Sequence, residues 1–155
     1  MILGIDFHDT ITYNPDFFKT LIKSWNDKIY IVTGTPASRK NEVVESLLEI
    51  GIDSSYYEDI LLGFEYEKSE MTVDHFKKMR EHKLKIIKEY NIGVYFDDNP
   101  FYVEHLRNHG VLVFQTIISD NYLKKFEEAD AFFTCNLQAF QFDYLKHIDK
   151  HVKRK

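Results

Sequence analysis

Short apolar runs punctuate this chain, each stopping abruptly on a polar or charged cluster and each followed by a stretch with helical hydrophobic spacing. Ile2–Ile5 stops on Asp6, and Ile29–Val32 stops on Thr33-Gly34-Thr35-Pro36. Ile60–Phe64 runs into the charged stretch Glu65–Glu70, Ile92–Phe96 ends on Asp97-Asp98-Asn99-Pro100, and Val111–Phe114 follows Gly110. Ala131–Thr134 reads as a short sixth run. Runs of four or five β-branched and aliphatic residues without alternation are what strands covered on both faces look like. Between them lie helical segments. Asn14-Pro15-Asp16 opens one that carries Phe17, Phe18, Leu21, Ile22 and Trp25. Thr35 is the expected N-cap and Pro36 the expected first helical residue of the next, which Gly51 closes. A long helix is predicted from about Val73 to Tyr90, another through Val103 and Leu106 to Gly110, and a last from Leu137 into the basic end Lys150–Lys155. Strands alternating with helices in this way predict an α/β fold. The sheet should be doubly wound (Rossmann-like), mainly parallel, of five to six strands with helices on both faces. With 155 residues and no repeat or linker, residues 1–155 are expected to form a single domain.

Charge and cysteine usage narrow the function classes. The formal charge of −5 gives no basic footprint for coating nucleic acid, though one local positive group can still serve a small anionic substrate. The lone Cys135 excludes a disulfide framework and any multi-cysteine zinc module. No apolar stretch approaches the ~20 residues that span a bilayer, and the apolar start is too short for a signal peptide. A cytoplasmic protein without a membrane partner is the expectation.

In open parallel sheets ligands sit beyond the carboxyl ends of the strands, and the polar clusters fall there. Asp6, Asp97 and Asp98 end two strands and form a hard-oxygen set of the kind that suits Mg2+. Asp9 and Thr10 lie in the turn after Asp6, whose amides are placed to meet phosphate oxygens. Thr33 and Gly34 offer a hydroxyl and an amide at a neighbouring strand end, and Lys83 precedes the fourth strand with a compact positive charge. Lys85 is its rival among the lysines of that helix. A carboxylate nucleophile, a divalent metal and fixed phosphate donors are the parts of a phosphoryl-transfer site.

These residues carry a resemblance. Ile5-Asp6-Phe7-His8-Asp9-Thr10-Ile11 resembles the first motif of the haloacid-dehalogenase-like superfamily, Asp-x-Asp-x-Thr after a hydrophobic strand. Ile31-Val32-Thr33-Gly34 is similar to its second motif. Lys83 stands before Asp97 at a spacing similar to that of small nucleotidase-like members, and Val94-Tyr95-Phe96-Asp97-Asp98 looks like the fourth motif. The likeness covers roughly residues 1–115. It implies a Mg2+-dependent phosphatase in which Asp6 attacks phosphorus and forms an aspartyl-phosphate. It further implies that the metal is held by Asp6, the main-chain carbonyl of His8 and Asp98, with Asp97 acting through water, and that Thr33, the Gly34 amide and Lys83 hold the phosphate.

The departure from the pattern is His8, which stands where these phosphatases place an aspartate that acts as acid and base. Histidine can do the same work near neutral pH, so slow or pH-shifted hydrolysis is one expectation. A catalytically silent module that binds a phosphate-bearing ligand or a protein is the other. The gaps between motifs leave no room for a large cap. That suits a phosphorylated substrate, small molecule or nucleic-acid end, reaching an open site, or a homo-oligomer whose neighbour covers it. Phe7 and Tyr13 flank the first motif at a possible substrate entrance. The pairs His105/His109 and His147/His151 read as surface histidines lacking a glutamate partner.

Overall fold

The computed structural model describes residues 1–116. The expected sixth strand, the helix from Leu137, Cys135, His147 and His151 lie outside the described residues. Five strands, β1 (Leu3–Asp6), β2 (Ile29–Pro36), β3 (Asp59–Gly63), β4 (Val94–Asp97) and β5 (Val113–Gln115), form one sheet in the order β3-β2-β1-β4-β5, with every neighbouring pair parallel. Four helices connect them: α1 (Pro15–Ser24), α2 (Lys40–Ile50), α3 (Val73–Glu89) and α4 (Pro100–Asn108). This is the expected doubly wound α/β sheet.

Strand alternation divides the core into two layers. Leu3, Ile5, Ile29, Ile31 and Val94 point to one face, where Phe18 and Ile22 of α1 and Val43 and Leu47 of α2 cover them. Val32 and Tyr95 point to the other, against Leu84 and Ile87 of α3 and Leu106 of α4. Truncating one of these wholly buried aliphatic side chains to alanine would cost about 2–5 kcal/mol. Gly51 ends α2 with φ +88°, the left-handed conformation that glycine adopts without penalty. Among the described residues no helix is long and apolar enough to cross a membrane.

Two local expectations fail. β2 does not stop at Val32 but runs on through Thr33, Gly34 and Thr35 to Pro36, which pairs with Gly63 across a break in register. Thr35 is therefore not an N-cap and Pro36 is not helical; a single 3-10 turn, Ala37–Arg39, precedes α2. The reason is β3. Its end comes so close that a Cβ on Gly63 would lie 2.3 Å from the Gly34 carbonyl oxygen, so the glycine lets the two strands stay zipped past the expected boundary. The second failure is Phe7, which is buried in the core and lines no entrance.

The order of the strands positions the site. After β3 the chain crosses back over the sheet to add β4 on the far side of β1, so the direction of winding reverses between β1 and β4. Such a switch point leaves a crevice at the strand ends. Ile5 is level with Phe96 and Asp6 with Val32, so Asp6 and Asp97 end their strands side by side, next to Thr33 of β2.

Candidate active site

Asp6 and Asp97 are the last residues of β1 and β4, and both are buried. Lys83 lies between them. It follows Met79 by one helical turn on the core-facing side of α3, so its stem is buried and its tip enters the crevice from below. Lys83 Nζ donates to Asp6 Oδ1 at 2.9 Å and to Asp97 Oδ2 at 2.6 Å. It also lies 4.6 Å from the centre of the Tyr102 ring. Lys85 is exposed on the opposite side of the helix. Asp97 accepts two further bonds: Oδ2 also accepts from the Tyr95 hydroxyl at 2.9 Å, and Oδ1 accepts from the Asn99 amide at 2.8 Å. Asp98 is half-buried, and one oxygen from each of Asp6, Asp97 and Asp98 lies within 4.8 Å of the others.

Electrostatics follow from this crowding. Burial raises the Asp6 pKa well above the ordinary carboxyl range; Lys83 opposes the rise, and the charges of Asp97 and Asp98 add to it. Burial works against the charge on Lys83, but Asp6 and Asp97 outweigh it and hold the ammonium well above its usual pKa. Asp6 and Asp97 thus share the Lys83 cation, with the Asp98 carboxylate close to both. A divalent metal among these hard oxygen donors would favour the ionised form of Asp6, so the donor set fits Mg2+.

The turn after β1 is kinked. His8 is extended (φ −69°, ψ 134°) and Asp9 takes a left-handed conformation (φ +57°, ψ 4°). Both are exposed. The Asp9 amide donates to Thr12 Oγ1 at 2.9 Å. Thr10 is wholly buried, and its hydroxyl has no hydrogen-bond partner among the described residues. His8 turns towards β2, where its Nε2 lies 3.1 Å from Thr35 Oγ1. Thr35 Oγ1 lies in turn 2.9 Å from Thr33 Oγ1, which also accepts the Thr35 amide at 3.2 Å. Desolvation lowers the His8 pKa from its ordinary value; Asp9 pulls the other way, and Arg39 and Lys83 add to the lowering. Gly34 sits half-buried in the irregular stretch between the two threonines, over Met79.

The fold thus brings Asp6, Lys83, Asp97 and Asp98 into one cluster and ties Thr33 to His8. Two contributors went unseen in the sequence, Thr35 and Tyr95. Each stands two residues from a partner on the same strand, Thr35 from Thr33 and Tyr95 from Asp97, so period-two alternation was the available signal. It was legible for Tyr95, and hidden for Thr35 by the capping pattern. The histidine pair on α4 also differs from expectation: the His105 side chain is largely buried, with Nε2 3.2 Å from Glu81 Oε1 of α3.

No protein-family profile matches the chain, and no curated protein sequence is significantly similar. Among solved structures, the chain is similar to the N-terminal part of the protein BF1531 from Bacteroides fragilis, which contains a phosphatase domain and is complexed with Mg. The two are 19% identical with a TM-score of 0.53, and the match covers 79% of this chain and 38% of that one. The chain therefore spans well under half of that neighbour's length, and the likeness is one of fold.

Proposed function

We propose that this chain is a Mg2+-dependent phosphohydrolase of the haloacid-dehalogenase-like kind, acting on phosphoric monoesters through Asp6. The observation that carries this reading is the Lys83 ammonium wedged between Asp6 and Asp97 at the switch point, with Asp98 beside them. The fold shared with a phosphatase domain complexed with Mg supports it. Asp6, the main-chain carbonyl of His8 and Asp98 would hold the metal, with Asp97, which already accepts three protein hydrogen bonds, acting through a water. Bound there, Mg2+ neutralises charge on the phosphoryl group and aligns it.

The residues of the chain do the rest. Lys83 holds Asp6 Oδ1, which leaves the second carboxylate oxygen to attack phosphorus. As the new O–P bond forms, the ester O–P bond breaks, and the leaving oxygen takes a proton from protonated His8. Water then attacks the phosphorus of the aspartyl-phosphate and gives a proton to His8; phosphate leaves and the Asp6 carboxylate is restored. Thr33, the Gly34 amide and Lys83 bind the phosphoryl oxygens, with the turn at Asp9 and Thr10 closing the near side. Exposure of His8 and the absence of a lid insertion among the described residues favour a large substrate reaching the site from solvent, such as a nucleotide or nucleic-acid phosphate end, or a second copy of the chain covering the site.

Hydrolysis of p-nitrophenyl phosphate and nucleoside monophosphates with Mg2+ tests this reading. Wild type should turn over, and Asp6→Asn should lose about 10³-fold or more, as removal of a nucleophile does elsewhere. An active wild type matched by Asp6→Asn would refute the mechanism. His8 favours a second reading, a silent phosphate-binding module. That reading prevails if wild type is inert and His8→Asp gains activity.

A further inference from the structure

Thr35 is almost fully buried at the end of β2, caps no helix, and links two residues of the site. Its hydroxyl oxygen has two polar neighbours, His8 Nε2 at 3.1 Å and Thr33 Oγ1 at 2.9 Å. A hydroxyl has one proton to give and lone pairs to receive. Two hydroxyl oxygens at 2.9 Å need a proton between them, and either threonine can supply it. In the reading proposed above, on which this inference rests, Thr33 gives its proton to a phosphate oxygen. The proton between the threonines must then come from Thr35. Thr35 has none left for His8, so His8 Nε2 must donate to it.

We propose that Thr35 is a positioning residue that couples phosphate binding to the tautomer of His8. With phosphate on Thr33, the donors run in one direction, from His8 Nε2–H to Thr35, from Thr35 to Thr33, and from Thr33 to phosphate. In the neutral ring Nδ1 is then the basic nitrogen, free to take the proton of the attacking water, and only after it has itself been protonated can it give one to a leaving oxygen. The change needs only rotation of two hydroxyls and a switch of the imidazole proton through solvent, so no net proton is gained or lost. Without phosphate the Thr33 proton can turn to Thr35, Thr35 can donate to Nε2, and neither tautomer is enforced. Coupling of this kind would present Nδ1 of neutral His8 as the base only when the substrate's phosphoryl group is seated.

Nitrogen NMR of histidine-labelled protein, with the His8 signals assigned by their loss in His8→Asn, reads the tautomer directly. The probe is inorganic phosphate with Mg2+, at a pH where imidazoles are neutral. Wild type should move to the Nε2–H form on phosphate addition, Thr35→Val should not, and Thr35→Ser, which keeps the hydroxyl, should follow wild type. In hydrolysis, Thr35→Val should lower kcat by about tenfold or more while KM changes little, part of the 10²–10⁴-fold that acid–base catalysis contributes. Thr35→Ser should restore it. Phosphate binding with an unchanged His8 tautomer, or the same tautomer in Thr35→Val, overturns this inference alone. Absence of phosphate binding itself, read by phosphorus NMR of the added phosphate, overturns it together with the function proposed above. A wild type that shows the tautomer switch yet hydrolyses nothing upholds the coupling and refutes the hydrolase.

Discussion

Thr33-Gly34-Thr35-Pro36 and Asp97-Asp98-Asn99-Pro100 look alike: each follows an apolar strand, offers a capping side chain, and ends on a proline suited to the first helical position. Only the second behaves that way. β4 ends at Asp97, Asn99 accepts the Phe101 amide at 3.0 Å, and Pro100 opens α4. The first stays in the sheet, and its helix begins only at Lys40. The difference lies in the neighbours. β5 beyond β4 is short and pairs no residue past Asp97, whereas β3 pairs with β2 as far as Pro36 and binds it through a glycine that permits close approach. Each outcome serves the site: one turns the chain away so that Asp97 and Asp98 face the crevice, and the other delivers two hydroxyls on one side of a strand.

The largest effect expected on this comparison comes from the cation beneath β4. Lys83→Met leaves Asp6 and Asp97 buried without their shared partner, and should cost about 3–5 kcal/mol in denaturant unfolding. The exposed neighbour Lys85→Ala should change stability by less than about 0.5 kcal/mol. Equal effects from the two would break the assignment of Lys83 to the interior. Next is the close approach that keeps β2 in the sheet. Gly63→Ala forces a methyl group against the Gly34 carbonyl and should cost about 1–3 kcal/mol. Amide hydrogen exchange should show the loss concentrated at Thr33–Pro36; unchanged stability and protection there would mean that another contact holds the strand end. The smallest effect is the cap itself. Asn99→Ala should lose about 1 kcal/mol by fraying α4, read as a fall in thermal midpoint; no fall would put the two proline turns on the same footing after all.

Much of the molecule was legible because its signals are local or additive. Four-residue apolar runs announce strands covered on both faces, as Ile5, Ile31 and Val94 show, and Asn14 and Gly51 mark helix ends by backbone chemistry that needs no distant partner. The acids were legible too, since a charged residue at the end of a buried strand has few structural reasons to be there. Thr35 was misread because its hydroxyl has two good uses, capping and side-chain bonding, and sequence spacing does not choose between them. Glu81 was overlooked as the partner of His105 because the pair joins two helices.

By itself, the sequence determined where the strands and helices fall, the stretch Thr33–Pro36 excepted, that the sheet is parallel and wound on both faces, and that carboxylates, a hydroxyl and a lysine end up at the strand ends. Those are consequences of hydrophobic period and chain connectivity. Only the tertiary structure decided that Lys83 rather than Lys85 is the buried cation, that Tyr95 and Asn99 bond to Asp97, and that Thr35 joins His8 to Thr33. Each of these depends on contacts of a few ångströms between separate segments, or on how far two strands stay paired, and so is set by packing rather than by local preference.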